Sequence, residues 1–155
     1  MLFPGCTCCG ASSFVCTNCS TGFAPTQVQV DIANCGSLNG TYILSHGASA
    51  CFTSNTGCEY SLTGISSCNG NTICLYFNFT FSSPNYVSSL YIGCYGGFYV
   101  AYVTFEKSHG TSPPDCMTLS GLTGFTNLGP ATHVCNDGGD LCDASAATIT
   151  VTAIP

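Results

Sequence analysis

Cys16-Thr17-Asn18-Cys19 carries the sharpest chemical motif of the chain, because two thiols two residues apart suit a zinc knuckle or a redox site. A structural zinc needs a second pair, which Cys6 with Cys8 or Cys9 could nominally supply. A redox site needs a βαβ setting, and the chain lacks one. The other cysteines are Cys35, Cys51, Cys58, Cys68, Cys74, Cys94, Cys116, Cys135 and Cys142, and the even total of fourteen allows all of them to pair. Disulfides are therefore the expectation for all fourteen, with zinc as the rival at the motif. Spacing alone does not assign partners.

The stretch Asn136 to Asp143 gathers Asp137, Asp140 and Asp143 around Gly138-Gly139. Hard cations such as calcium want several oxygens on a loop that glycines let fold tightly. The EF-hand spacing and its closing Glu are missing, so an acidic, solvated glycine turn is the simpler reading. Three sequons occur, at Asn18, Asn39 and Asn78. Asn39-Gly40 also suits a hairpin turn. Asn78 is expected to face solvent or another subunit, and Thr111 and Ser112 before Pro113-Pro114 suit O-linked sugar. Glu59 and Glu106 are the only glutamates and could in principle form a glycosidase pair. Sequence does not place them within reach of each other, and surface solvation explains them more simply. His46, His109 and His133 show no metal spacing. With no nucleophile elbow and no phosphate loop, the expectation is that the protein is not an enzyme.

Fourteen cysteines in 155 residues is about 9%, the level at which a short chain reads as a disulfide scaffold. A reducing cytosol does not sustain such a framework, so an extracellular, cell-surface or virion location is expected. Charged residues make up only 5%, against a usual value of about 25%. One lysine and no arginine exclude nucleic acid as a partner and exclude a basic membrane-binding face. No apolar run approaches a membrane span. The opening Met1 to Gly5 lacks the features of a signal peptide, so either a leader has been removed or export takes another route. A surface so poor in charge favours association with copies of itself or a coat of covalent glycan.

These residues must be positioned by strands. Residues 1–25 read as a cysteine-rich N-terminal arm and 26–155 as one domain. Val28, Val30 and Ile32 alternate with Gln27, Gln29 and Asp31, the period of a half-buried strand. Further strands are expected at Thr41 to Leu44, Cys51-Phe52, Tyr60 to Leu62, Thr72 to Phe81, Val87 to Ile92, Phe98 to Glu106, Met117 to Leu119 and Thr148 to Thr152. No helical stripe competes with them. Many short strands with Gly and Pro punctuation indicate an all-β, disulfide-stapled β-sandwich of jelly-roll type.

A cysteine-rich start, Val28-Gln29-Val30, Leu38 to Leu44 with its Asn39-Gly40-Thr41-Tyr42, Cys58-Glu59-Tyr60 and the closing Thr148 to Thr152 together carry a resemblance. The chain is similar to the cysteine-rich "NGTY" β-modules of secreted environmental bacterial proteins and phage structural proteins. It departs from them in having no Trp. The resemblance implies extracellular or virion structure and no known reaction. More loosely, the chain resembles β-sandwich subunits of extracellular filaments. The reading that follows is a filament or appendage protomer, joined head to tail by exchange of a strand or of residues 1–25 and stabilised by disulfides. The rivals are a carbohydrate-binding or adhesin module using Tyr95, Phe98 and Tyr99, and a phage tail or decoration protein. No cofactor is expected beyond calcium at the acidic turn.

Overall fold

A computed structural model describes residues 25–46, 58–68, 71–95, 99–111, 119–127, 133–134, 142–143 and 146–154. Ten strands run through them: β1 (Gln27–Ala33), β2 (Gly40–His46), β3 (Cys58–Cys68), β4 (Asn71–Ser82), β5 (Asn85–Tyr95), β6 (Tyr99–Ser108), β7 (Thr126–Asn127), β8 (His133–Val134), β9 (Cys142–Asp143) and β10 (Thr148–Ile154). Eight form one sheet in the order β10-β1-β2-β3-β4-β5-β6-β7, and β8 and β9 pair as a small ribbon. Chain neighbours pair antiparallel from β1 to β7, and β10 returns beside β1.

The period-two pattern decides which face goes inside. In β1, Val28, Val30 and Ile32 are buried while Gln27, Gln29 and Asp31 are only half-buried. Val30 stands opposite Val151 on one side and Tyr42 on the other, so the inner face continues from strand to strand. Leu44, Tyr60, Ile73, Leu75, Phe77, Phe79, Leu90, Ile92 and Phe105 extend it into a single core. Each such side chain contributes about 1.5–3 kcal/mol on leaving water. Tyr60 is buried by its ring, and its hydroxyl donates to the Pro25 carbonyl at 2.8 Å, which fixes the entry into β1.

The sheet curls until its ends approach. Leu122 N–H donates to the Val151 carbonyl and Val151 N–H to the Leu122 carbonyl, both at 2.9 Å. Thr126 and Asn127, a few residues on, pair with Glu106 and Phe105 of β6. Residues 122–127 thus touch both ends of the sheet and draw it into a half-barrel. A bulge between Thr63 and Ser66 bends β3, with Gly64 at φ 76° in the left-handed region that glycine enters without strain.

The all-β expectation holds, and a sheet curled about one core is compatible with a sandwich-like wrapping. The stapled framework needs correction. No disulfide joins any two of the described residues; hydrogen-bonded ladders and the apolar core hold the described fold. Cys35 and Cys74 are buried and disulfide-bonded, but their partners are outside the described side chains. The expected filament protomer, assembled by strand exchange and stabilised by disulfides, is corrected with it. At Val151 the outer edge of β10 is met by Leu122 of the same chain. The arm 1–25, the expected strands at Cys51-Phe52 and Met117-Thr118, and the cysteines at 6, 8, 9, 16, 19, 51, 116 and 135 lie outside the described residues. So do the side chains of Cys58, Cys68, Cys94 and Cys142.

Candidate functional site

The outer face of the sheet has two halves of different character. Over β10, β1 and β2 it is wet and nearly uncharged, presenting Thr148, Thr150, Thr152, Thr41 and Ser45 around Ile43, which is 38% exposed. Its one carboxylate, Asp31, is held down: Gln29 Nε2 donates to it at 2.9 Å and Thr41 Oγ1 at 2.5 Å. Over the middle of β3 to β6 the same face is buried at Glu59, Cys74, Tyr76, Asn78, Ser89 and Thr104.

Register builds that buried half. Glu59 stands opposite Asn78, Asn78 opposite Ser89, and Ser89 opposite Glu106. Two residues along, Ser61, Tyr76, Tyr91 and Thr104 form a parallel row, in which the Tyr76 and Tyr91 rings meet edge to face at 5.7 Å. Glu59 is 7% exposed, Asn78 9% and Ser89 4%. Ser89 Oγ donates to Glu106 Oε1 at 3.4 Å, so that carboxylate leans towards β5. Asn78 Oδ1 accepts no hydrogen bond. The two glutamates are therefore brought into one row, and Glu59 is not solvated at the surface. They stand three strand intervals apart, about 14 Å between Cα atoms at about 4.8 Å per interval.

A second arrangement sits on the inner face, at Ser88 of β5. Ser88 Oγ and His109 Nε2 are 2.5 Å apart, a hydrogen bond whose donor depends on the histidine tautomer. His109 follows β6, the partner of β5, and its N–H donates to the Tyr86 carbonyl at 2.8 Å, which brings the ring over Ser88. Phe79 packs edge to face on that ring at 5.5 Å. Burial holds the His109 pKa below its ordinary value, and the nearby Lys107 ammonium pushes it the same way. A serine beside a neutral histidine has the parts of a nucleophile and its base. Here Ser88 is 0% exposed, and no hydrogen bond orients the other ring nitrogen. The arrangement satisfies a buried hydroxyl.

The expected sites fall out as follows. Asn78 does not face solvent; it lies mid-strand between β3 and β5, with no room for a glycan in this fold. Asn39 is exposed, and its Oδ1 accepts the Cys35 N–H at 2.7 Å. It closes a six-residue connection, 34–39, that includes the 3-10 turn Gly36–Leu38, in place of a two-residue hairpin turn. Thr111 is exposed. Asn18, Ser112, Asp137, Asp140 and Phe98, with the side chains of Asp143, Tyr95, Tyr99 and His133, are outside the described residues. Among the described residues no three His, Cys, Asp or Glu side chains gather as metal ligands, and no helix is long and apolar enough to cross a membrane.

The half-barrel and its two-natured outer face define an all-β module. No family model, curated protein or solved structure matches the chain.

Proposed function

We propose that this chain is a non-catalytic structural β-module that acts by its shape and meets further copies of itself through the wet face of β10, β1 and β2. The observation that carries the reading is the chemistry of that face. Threonine and serine hydroxyls surround Ile43, and Asp31, its one carboxylate, accepts hydrogen bonds from Gln29 and Thr41. Most protein surfaces keep copies apart by charge, and this one offers little repulsion. Two copies meeting face to face would repeat the same contacts, the isologous arrangement of a two-fold pair. The burial of Ser88 supports the non-catalytic part, since a nucleophile must reach its substrate. The cysteine-rich composition and the oxidised state of Cys35 and Cys74 support a location outside the reducing cytosol.

Native mass spectrometry of the full chain tests the pairing, and dimers or higher species are the expected result. A fluorophosphonate probe tests the rest: Ser88 is expected to stay unlabelled in the folded chain, and labelling that needs His109 would refute the non-catalytic reading.

A further inference from the structure

We propose that His109 is an acid-sensitive latch, holding residues 109–110 against the start of β5 and releasing them when its ring takes up a proton. The latch sits where the β5–β6 ladder ends, at the pair Val87 and Ser108. Beyond that pair two backbone bonds carry the contact on. His109 N–H donates to the Tyr86 carbonyl and Tyr86 N–H to the Gly110 carbonyl, both at 2.8 Å. Gly110 stands at φ 78°, a bend that glycine takes without strain.

Side chains fasten this end from the inner face. Ser88 Oγ is fully buried, and its bond to His109 Nε2 gives it the partner that burial requires. Phe79 packs edge to face on the imidazole at 5.5 Å, and Tyr86 stacks on Phe79 at 6.2 Å. Among the described residues no carboxylate joins this cluster. The charged and titratable neighbours are Lys107 on the ring's own strand and Tyr86 on β5, while β4 brings only Phe79. Residues 122–127, tied to Lys107 Nζ through the Thr123 carbonyl at 2.9 Å, have no ionisable side chain. Glu106 lies on the opposite face of β6, with Ser89.

A proton works against every part of this arrangement. The neutral ring shares one hydrogen bond with Ser88, whereas an imidazolium carries an N–H on both nitrogens. Among the described residues only Ser88 Oγ is in place to accept one of them. The Lys107 ammonium repels the new charge, and the half-buried site hydrates it poorly. A released ring meets water and takes its proton near about pH 6.5. Acid therefore favours release: the latch is closed above that pH and weakens as pH falls towards the lowered folded value. Release frees the Tyr86 backbone and uncovers the Phe79–Tyr86 stack, on strands other than those of the wet face.

Amide hydrogen exchange of the full chain at about pH 7.5 and about pH 5, corrected for the intrinsic pH dependence of exchange, tests this. Tyr86 and His109, whose N–H groups make the two backbone bonds, should lose protection at the lower pH. Phe77, in the core, should keep its own. His109→Gln keeps a hydrogen-bonding side chain that takes no proton, so its protection should be the same at both pH values. NMR titration of the His109 ring in the natural chain decides the matter if that variant does not fold, and a midpoint below about 6.5 is expected. Equal loss at Phe77, unchanged protection at Tyr86 and His109, or a pH effect that persists in folded His109→Gln would each overturn the proposal. So would a ring that titrates at or above about 6.5.

Discussion

His109 shows how much of a residue's behaviour comes from its neighbours. Burial first, and Lys107 second, hold its pKa below the ordinary histidine value. The folded state thus binds the proton less readily than the unfolded chain, whose histidine titrates near about 6.5. Its contribution to stability is fully present above that pH and is lost as pH falls towards the depressed folded value. Urea unfolding between pH 8 and pH 5.5 should show stability declining below about 6.5, and His109→Asn should flatten that part of the curve. An unchanged slope in the variant would mean that another group sets it. Asn39 gives a second prediction at this scale. Its amide oxygen, and not its place in a sequon, fixes the β1–β2 connection through Cys35 N–H. Asn39→Ala should cost about 1 kcal/mol, the net value of one hydrogen bond, measured by the same unfolding. Peptide mass spectrometry of the native protein should find Asn78 without sugar because the strand buries it.

Among the elements, β4 was the most legible in the sequence and also the most misleading. Its alternation of Ile73, Leu75, Phe77, Phe79 and Phe81 with Cys74, Tyr76, Asn78 and Thr80 predicts one buried and one wet face. The apolar positions from Ile73 to Phe79 are indeed core, but Cys74, Tyr76 and Asn78 are buried too. Period two reports which residues share a face and not whether that face is covered. The hint was chemical: a tyrosine and a cysteine on a nominally wet face are residues that burial favours. The Glu59–Glu106 row was illegible because it depends on the register of four strands, and the bulge after Thr63 shifts one of them. The pairing of Ser88 with His109 was hidden for a similar reason, since 21 residues separate them and only the β5–β6 ladder joins them. Phe77, 0% exposed at the centre of the inner face, should cost about 3–5 kcal/mol when cut to Ala. Leu122→Pro removes the N–H that meets the Val151 carbonyl, so it should open the join between the sheet ends. Hydrogen exchange should then speed up at Val151 and remain slow at Phe77.

For the whole molecule, the division of the outer face matters more than any single contact. One half is buried through the middle of β3 to β6, and the other meets water with hydroxyls, amides and Ile43. The composition made low charge legible, with one lysine against seven acids, and so pointed towards association. It could not say which face would associate, because that follows from which half of the sheet is covered. The account centres on self-association through β10, β1 and β2. Sedimentation velocity of the full chain over a hundredfold range of concentration tests this most directly, with Ile43→Glu measured beside it. The account predicts a sedimentation coefficient that climbs with concentration for the natural chain and stays at the monomer value for Ile43→Glu, with circular dichroism unchanged. A natural chain that remains monomeric throughout, or a variant that associates as well as its parent, would contradict it.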